Sequence, residues 1–125
     1  MDLTSRTAGD VLVLAPAGRL DHESVDGFRA AVQPRLDGAF AAGQAVLFDL
    51  SALEYVSSAG LRCFMLAAKQ ANAQNGRVAV AAARPVVAEI LEISRFNMVF
   101  RVYPAMQEAL AALSPEPAAA PPGRG

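Results

Sequence analysis

The sequence is poor in the side chains that build metal centres and disulfide frameworks. Its 125 residues include one cysteine, Cys63, and one histidine, His22. A single cysteine cannot form an internal disulfide, and one histidine with one cysteine leaves no spacing typical of a metal site. The sequence therefore predicts a protein without a metal or other cofactor, and the reducing cytoplasm is its simplest location.

Long apolar runs and clusters of positive charge are also missing. No run of 18 apolar residues occurs, and the first ten residues, MDLTSRTAGD, lack the apolar region of a signal peptide. Lys and Arg total 11 against 12 Asp and Glu, and they are scattered along the chain, with a formal net charge of −1. These features predict no secretion, no membrane span and no direct nucleic-acid binding.

Motifs of common enzyme classes are absent as well. The chain has no GxxxxGK[ST], which argues against nucleotide binding through a P-loop. It also lacks the G-x-S-x-G spacing of a nucleophile elbow, and no histidine follows Ser58. His22 has no nucleophile in a defined relation to it, so we interpret it as a solvated or capping residue. We therefore expect no catalytic residues and no enzymatic activity.

Apolar residues, in contrast, are abundant. They make up 54% of the chain, with a mean hydropathy of +0.29, which is enough to fill the core of one domain. The last residues, SPEPAAAPPGRG, are rich in proline and alanine and contain no large apolar side chain. The sequence therefore predicts one domain at 1–113 and a disordered tail at 114–125.

Hydrophobic periodicity predicts strands and helices that alternate along the chain. The predicted strands are Val11–Ala17, with Gly18–Leu20 as a bend or second short strand, then Val46–Leu50, Arg77–Ala83 and Arg101–Tyr103. The predicted helices begin after Asp21–Ser24, at Ser57–Ser58, after Arg84–Pro85 and at Pro104. The first ten residues are interpreted as a polar lead and Ser51–Ser58 as a connection. Pro34 is expected to kink or restart the first helix, with Leu36 and Phe40 on a second short piece.

This alternation is typical of an α/β domain, because a crossover through a helix returns the chain in the same direction. We expect a mainly parallel central sheet of about four to five strands and about four helices. Sites in such folds gather at the carboxyl ends of strands.

The segment Val46–Arg62 carries the clearest functional pattern. An apolar strand leads through a polar connection to Ser57 and Ser58, which stand at the predicted start of a helix. A serine there can cap the helix by accepting a hydrogen bond from a backbone N–H one turn on. The positive end of the helix dipole would also tolerate a phosphate on the serine. Spacing alone leaves capping and regulatory phosphorylation open.

The stretch DLSALEYVSSAGLR resembles the motif of the STAS domain family, the bacterial anti-sigma factor antagonists. GRLD, at Gly18–Asp21, resembles an earlier family motif, and the spacing of elements is similar down to about Leu113. The resemblance implies a STAS-like domain with Ser58 at the phosphoacceptor position and Asp21 as the early acid. The best-known members carry aspartate immediately before the phosphorylated serine, whereas this chain has Ser57 at that position. Two adjacent hydroxyl groups are therefore present, and Ser57 is the alternative acceptor.

The resemblance also implies a function. An unphosphorylated antagonist would bind its cognate anti-sigma factor, a serine kinase of the GHKL type, and phosphorylation would release it until a phosphatase reverses the change. Such partner switching would regulate sigma-factor-dependent transcription or a related signalling output. An accessory STAS subunit of a membrane transporter or of a larger signalling complex is the alternative. The oligomeric state is left open.

The expected partner-binding surface surrounds the serine pair. Its predicted members are Asp21, Ser57, Ser58, Ala59, Gly60, Arg62, Cys63 and Leu66. Cys63, Leu66 and Ala67 form a second apolar face of the predicted helix, bordered by charged and polar residues. Either a neighbouring helix covers this face or a partner binds it. A thiol near a helix start can have a lowered pKa, but packing is the other explanation of Cys63.

Removal of the tail after Leu113 should leave the free energy of unfolding within about 1 kcal/mol of the full-length value. The reason is that the tail offers the core no large apolar side chain. Urea unfolding of the two proteins tests this. A loss of several kcal/mol would show that the tail docks on the domain.

Overall fold

The computed structural model describes residues 1–113, so the predicted tail at 114–125 lies outside the described part of the chain. The strands are β1 Asp2–Ala8, β2 Val11–Leu20, β3 Ala45–Asp49, β4 Leu53–Val56, β5 Val78–Ala81 and β6 Arg101–Tyr103. The helices are α1 Val25–Ala41, α2 Ser58–Ala73, α3 Pro85–Ile93 and α4 Met106–Leu113, with a 3₁₀ helix at Phe96–Met98.

The strands form a mixed sheet in the order β1-β2-β3-β5-β6, and β4 pairs with the end of β2. Among the strands of residues 1–113, only the pairing of β1 with β2 is antiparallel; the other four pairings are parallel. The predicted α/β fold with a mainly parallel sheet and four helices is therefore confirmed. The described residues contain six strands instead of four to five, because the sequence pattern does not predict β1 and β4.

Helices cover both faces of the sheet, which explains the apolar run of β3. Val46 and Phe48 belong to the larger core, together with buried residues of α1, α2 and α3. Leu47 packs in a smaller core with Ala109 and Leu113 of α4. A strand covered on both faces needs apolar side chains at successive positions, as the sequence predicted.

β1 shows that the interpretation of the first ten residues as a polar lead is wrong. It pairs with β2 over its whole length, from Asp2 opposite Ala17 to Ala8 opposite Val11. Of its side chains, only those of Leu3 and Ala8 are even partly buried. Backbone hydrogen bonds therefore define this edge strand, and apolar alternation, the usual sequence signal, is almost absent.

β4 shows that Ser51–Ser58 is not merely a connection. The carboxylate of Asp49 accepts a hydrogen bond from the Ser51 N–H at 3.0 Å, and the chain turns directly after β3. Leu53 and Val56 are then buried where β4 pairs with β2. Four residues are too few to show a period, so this strand has no clear signal in the sequence.

The predicted restart of the helix at Pro34 is wrong, because α1 continues through this residue as one helix. A kink at Pro34 stays a prediction. Pro34 is exposed, so water can replace the backbone hydrogen bond that proline cannot donate. Leu36 and Phe40 lie on the same buried side of this helix as Phe28.

Phe64 of α2 is the centre of an aromatic cluster that joins the helices to the sheet. Its ring centroid lies 5.5 Å from that of Phe28, 5.0 Å from Phe48, 6.1 Å from Phe96 and 6.4 Å from Phe100. All four pairs are edge-to-face, the geometry that aromatic quadrupoles favour. Phe64 thus fixes the position of α2 against α1, β3 and the segment that follows α3.

Phe64→Ala should lower the free energy of unfolding by about 3–5 kcal/mol, because it removes a ring that is 1% exposed and leaves a cavity. Phe64→Leu is the control: it keeps much of the volume and should cost clearly less. Urea unfolding of both variants is the measurement. A loss below about 1 kcal/mol for the alanine variant would contradict this role.

Candidate functional site

The carboxyl ends of β2 and β4 bring the two predicted motif segments together. The strands run parallel with Leu20 opposite Val56, and the Ser57 N–H donates a hydrogen bond to the Leu20 carbonyl at 2.8 Å. Asp21 and Ser57 are the residues that follow these two strand ends. The β2–α1 turn and the start of α2 therefore form one continuous rim, as expected for a site in a parallel sheet.

Gly60 allows α2 to begin directly on these strands. A Cβ atom at this position would lie 2.8 Å from Leu20 Cγ and 2.8 Å from Val56 Cγ2, closer than real Cβ atoms approach other carbons. A glycine is therefore required if the first turn of α2 is to stay in contact with both strands. Because Gly60 is buried, its part in the predicted partner-binding set is to position its neighbours.

Ser57 is the N-cap of α2. Its backbone is extended, with φ −89° and ψ 175°, and its Oγ accepts a hydrogen bond from the Gly60 N–H at 3.2 Å. The side chain is half-buried. The hydroxyl group is thus already engaged in closing the first turn, as the capping interpretation predicted.

Ser58 has a different environment from its neighbour. It is the first residue of α2 and is exposed. Within residues 1–113 its hydroxyl group makes no hydrogen bond. The two adjacent serines are therefore not equivalent: one holds the helix start, and the other presents a free hydroxyl group to solvent.

Asp21 organises the turn that lies beside the serines. Its carboxylate accepts hydrogen bonds from the N–H groups of Glu23 at 3.1 Å and Ser24 at 3.2 Å. Ser24 Oγ accepts from the Asp21 N–H at 3.0 Å. Desolvation raises the pKa of Asp21, but the hydrogen bonds donated to its carboxylate lower it more, so the pKa lies below its ordinary value. Asp21 is consequently an ionised residue whose charge stabilises the turn.

Some of the remaining residues predicted to bind a partner lie on the exposed surface of α2, and others lie where α2 packs against α1. Ser58, Arg62 and Leu66, spaced four residues apart, form an exposed row along α2 that we call the outer row. Leu66 is 44% exposed, although it is a large apolar residue. Ala59 is half-buried beside this row. A partner that approaches Ser58 from solvent would meet the outer row first.

Cys63 lies in a narrow groove between α1 and α2, lined in part by Phe28 and Arg29. Burial raises the pKa of its thiol, and the nearby charges of Arg29 and Asp26 act in opposite directions. The thiol is therefore protonated at neutral pH, which favours the packing interpretation.

The second apolar face of α2 is covered mainly by α1, as the packing alternative predicted. Ala67 on this face is buried. Gln70 links the two helices, since its amide nitrogen donates to the Asp37 carboxylate at 2.7 Å and its amide oxygen accepts from Gln33 at 2.8 Å. Only Leu66 remains substantially open to solvent.

Sequence reasoning did not single out Arg19 and Tyr55, which lie at the same rim. They are opposite each other in the β2–β4 pairing, and the Arg19 guanidinium carbon lies 4.4 Å from the centre of the Tyr55 ring. Recognition of β4 in the sequence would have placed the two side chains together.

Two further observations concern cofactors and membranes. Within residues 1–113, no group of three or more His, Cys, Asp or Glu side chains is arranged to hold a metal ion. No helix in the same part of the chain combines the length and apolar character that crossing a bilayer requires.

A family model and a curated protein each match about nine-tenths of this chain. A family model described as STAS domain matches residues 2–109. The chain is 31% identical over 112 residues to BtrV of Bordetella bronchiseptica, which is named as a candidate anti-sigma factor antagonist. The match covers 90% of this chain and 94% of that protein.

Solved structures show the same fold. A candidate anti-sigma factor antagonist from Thermotoga maritima has a TM-score of 0.80 at 20% identity, covering 89% of this chain and 93% of the other. Unphosphorylated SpoIIAA has a TM-score of 0.69 at 18% identity, with 89% and 95% covered. Phosphorylated SpoIIAA of Bacillus has a TM-score of 0.64 at 17% identity, with 90% and 100% covered. At these identities the likeness shows the fold alone.

Asp21→Asn should lower the free energy of unfolding at pH 7, because the amide lacks the charge that strengthens the hydrogen bonds of the turn. The folded pKa of Asp21 is lowered from 3.8, so its contribution is present above that value and disappears as the pH falls through the folded pKa. Urea unfolding of wild type and variant between pH 2 and pH 7 should give curves that converge on the acid side. A difference that does not change with pH would contradict this role for the charge.

Proposed function

Because the chain belongs to the STAS domain family, we propose that it is an anti-sigma factor antagonist that works by phosphorylation-dependent partner switching. In its unphosphorylated form it binds an anti-sigma factor that is also a serine kinase of the GHKL type. Binding frees the sigma factor, and phosphorylation of Ser58 ends the interaction until a phosphatase removes the phosphate.

The contrast between the two serines carries this proposal. Ser58 is exposed, whereas Ser57 is half-buried and its Oγ caps α2. A kinase can reach the Ser58 hydroxyl without breaking an existing hydrogen bond. Phosphorylation of Ser57 would compete with the helix cap, which is worth about 1 kcal/mol. Ser58 is therefore the favoured acceptor.

The fold itself should tolerate the phosphate. A phosphoserine adds about −1.5 to −2 charges at neutral pH. At Ser58 this charge would stand in the first turn of α2, where the helix dipole stabilises an anion by about 0.3–1 kcal/mol per charge. The fold likeness to SpoIIAA structures in the unphosphorylated and phosphorylated forms also supports a modification that leaves the fold intact.

The complex should be far less tolerant of the phosphate. A partner that covers Ser58 and the outer row would have to bury a dianion where it had contacted a neutral hydroxyl group. Burial of a charge without a compensating cation costs several kcal/mol, and about 1.4 kcal/mol corresponds to a tenfold change in affinity. The effect on binding should therefore exceed the effect on stability, which makes the modification a release switch.

The proposed partner surface combines the outer row with the Asp21 turn. Ser58, Arg62 and Leu66 present a hydroxyl group, a cation and an apolar side chain along one exposed line. Asp21 lies next to its start, across the Leu20–Ser57 hydrogen bond. Such a mixture of an apolar residue and a charged rim is typical of non-obligate protein interfaces.

The decisive experiment is a pull-down with the full-length unphosphorylated protein, followed by mass spectrometry of both the captured protein and the phosphosite. Recovery of a GHKL-type serine kinase supports the proposal. Recovery of a membrane transporter instead would support the alternative of an accessory STAS subunit.

Ser58→Asp should weaken binding to the recovered kinase by about tenfold or more while circular dichroism stays native, because the charge would be buried at the interface. Ser58→Ala should bind but should not be released by the kinase in the presence of ATP. Calorimetric titration and a phosphorylation assay measure these effects.

Ser57→Ala is the matched control, one residue away. It should lower the free energy of unfolding by about 1 kcal/mol through loss of the cap, yet it should still be phosphorylated at Ser58. Phosphate on Ser57, or wild-type affinity of Ser58→Asp, would falsify the proposed switch.

A further inference from the structure

Arg19 and Tyr55 form a cation–aromatic pair at the rim that carries Ser58. The Arg19 guanidinium carbon lies 4.4 Å from the ring centre, a geometry in which the ring face attracts the cation. Arg19 is exposed and Tyr55 is half-buried. The pair is adjacent to the start of α2, since Arg19 precedes Leu20, whose carbonyl accepts from the Ser57 N–H.

The pair occupies the opposite side of the sheet from α2. Leu20 and Val56 point toward α2, where both would touch a Cβ on Gly60. Successive side chains of a strand point to opposite faces, so Arg19 and Tyr55 project from the other face. On that face α4 packs mainly on β3, β5 and β6, and both Arg19 and Tyr55 keep part of their surface exposed.

Arg19 is held in place but retains free hydrogen-bond donors. Its carbonyl accepts from Ser24 Oγ at 2.9 Å, and the preceding Gly18 N–H donates to the Ala52 carbonyl at 3.0 Å. In the described residues, the guanidinium makes no hydrogen bond. A guanidinium that stacks through its flat face keeps its N–H edge available, and that edge matches the two oxygens of a carboxylate.

We propose that Arg19, oriented by Tyr55, binds a carboxylate side chain of the kinase that engages this rim. This inference rests on the proposed function and names the chemistry of one contact in the complex. The exposed acids Glu23 and Glu54 lie close by in sequence and would repel a uniformly acidic partner. Arg19 is therefore suited to bind a single aspartate or glutamate of the kinase placed opposite it. This contact would help to select the cognate kinase.

A phosphate on Ser58 is a less suitable ligand for Arg19. Ser58 belongs to α2, on the face of the sheet opposite to the guanidinium. In the proposed function, the high-affinity complex contains the unphosphorylated protein, so the anion that Arg19 binds in it must come from the partner. Arg19 and the outer row would contact the kinase from the two sides of the rim.

The test measures the Kd of full-length variants for the purified kinase recovered in the pull-down described above. Arg19→Ala should weaken binding by about tenfold, and Arg19→Glu by about 100-fold, because the latter places two carboxylates together. Arg19→Lys should fall between wild type and Arg19→Ala, since lysine keeps the charge but lacks the planar fork. The difference between wild type and Arg19→Ala should shrink at high salt.

Matched controls separate this contact from general charge and folding effects. Arg6→Glu makes the same charge change on exposed β1, opposite Val13 in the pairing of β1 with β2, and should change the Kd by less than about threefold. Tyr55→Phe keeps the ring and should bind like wild type, whereas Tyr55→Leu should weaken binding by about threefold or more. Native circular dichroism is required of every variant.

A lysine scan of the exposed acids of the kinase completes the test. One of these substitutions should restore binding to Arg19→Glu, and the same substitution should weaken binding to wild type.

If Ser58→Asp weakens binding but every Arg19 variant binds like wild type, the contact is refuted and the proposed function stands. If the Arg19 variants change the Kd of only the phosphorylated protein, the guanidinium binds the phosphate and the carboxylate assignment is wrong. If no kinase is recovered, the proposed function fails, and this inference fails with it.

Discussion

The close contact at Gly60 is the constraint on which the candidate site depends. With no side chain at this position, the first turn of α2 lies directly on Leu20 and Val56. The hydrogen bond from the Ser57 N–H to the Leu20 carbonyl then ties the helix start to the end of β2. These two contacts place Ser57, Ser58 and the Asp21 turn on one rim. One turn further along the same buried face of the helix, the aromatic cluster around Phe64 fixes the direction of α2.

The arrangement gives the two neighbouring serines different environments. Ser57 closes the helix start, so the adjacent Ser58 can remain free without leaving the first turn unsatisfied. In the proposed function, a phosphate on Ser58 would therefore act mainly on the contact with the partner and only weakly on the fold.

The parts of the fold that were predicted correctly have strong local patterns. β3 shows an apolar run because helices cover both of its faces, and α2 shows helical spacing because one of its sides faces the sheet. β1 and β4 have no such pattern, since β1 is mostly polar on both faces and β4 is only four residues long. The continuity of α1 through Pro34 depended on the exposure of that residue, which a proline in a helical pattern does not reveal.

For the site, the sequence by itself determined a serine pair at a helix start, because capping requires a hydroxyl group at a fixed position before the first turn. Gly60 and Asp21 were expected through the resemblance to the STAS family motifs. Only the tertiary structure decided which serine hydroxyl caps the helix and which is exposed to solvent. The reason is that this depends on how the first turn of α2 contacts two strands distant in sequence. The packing of α1 against α2 decided that Cys63 lies in the groove between these helices while Leu66 stays exposed. The pairing of β2 with β4 brought Arg19 beside Tyr55, because it sets these side chains opposite each other.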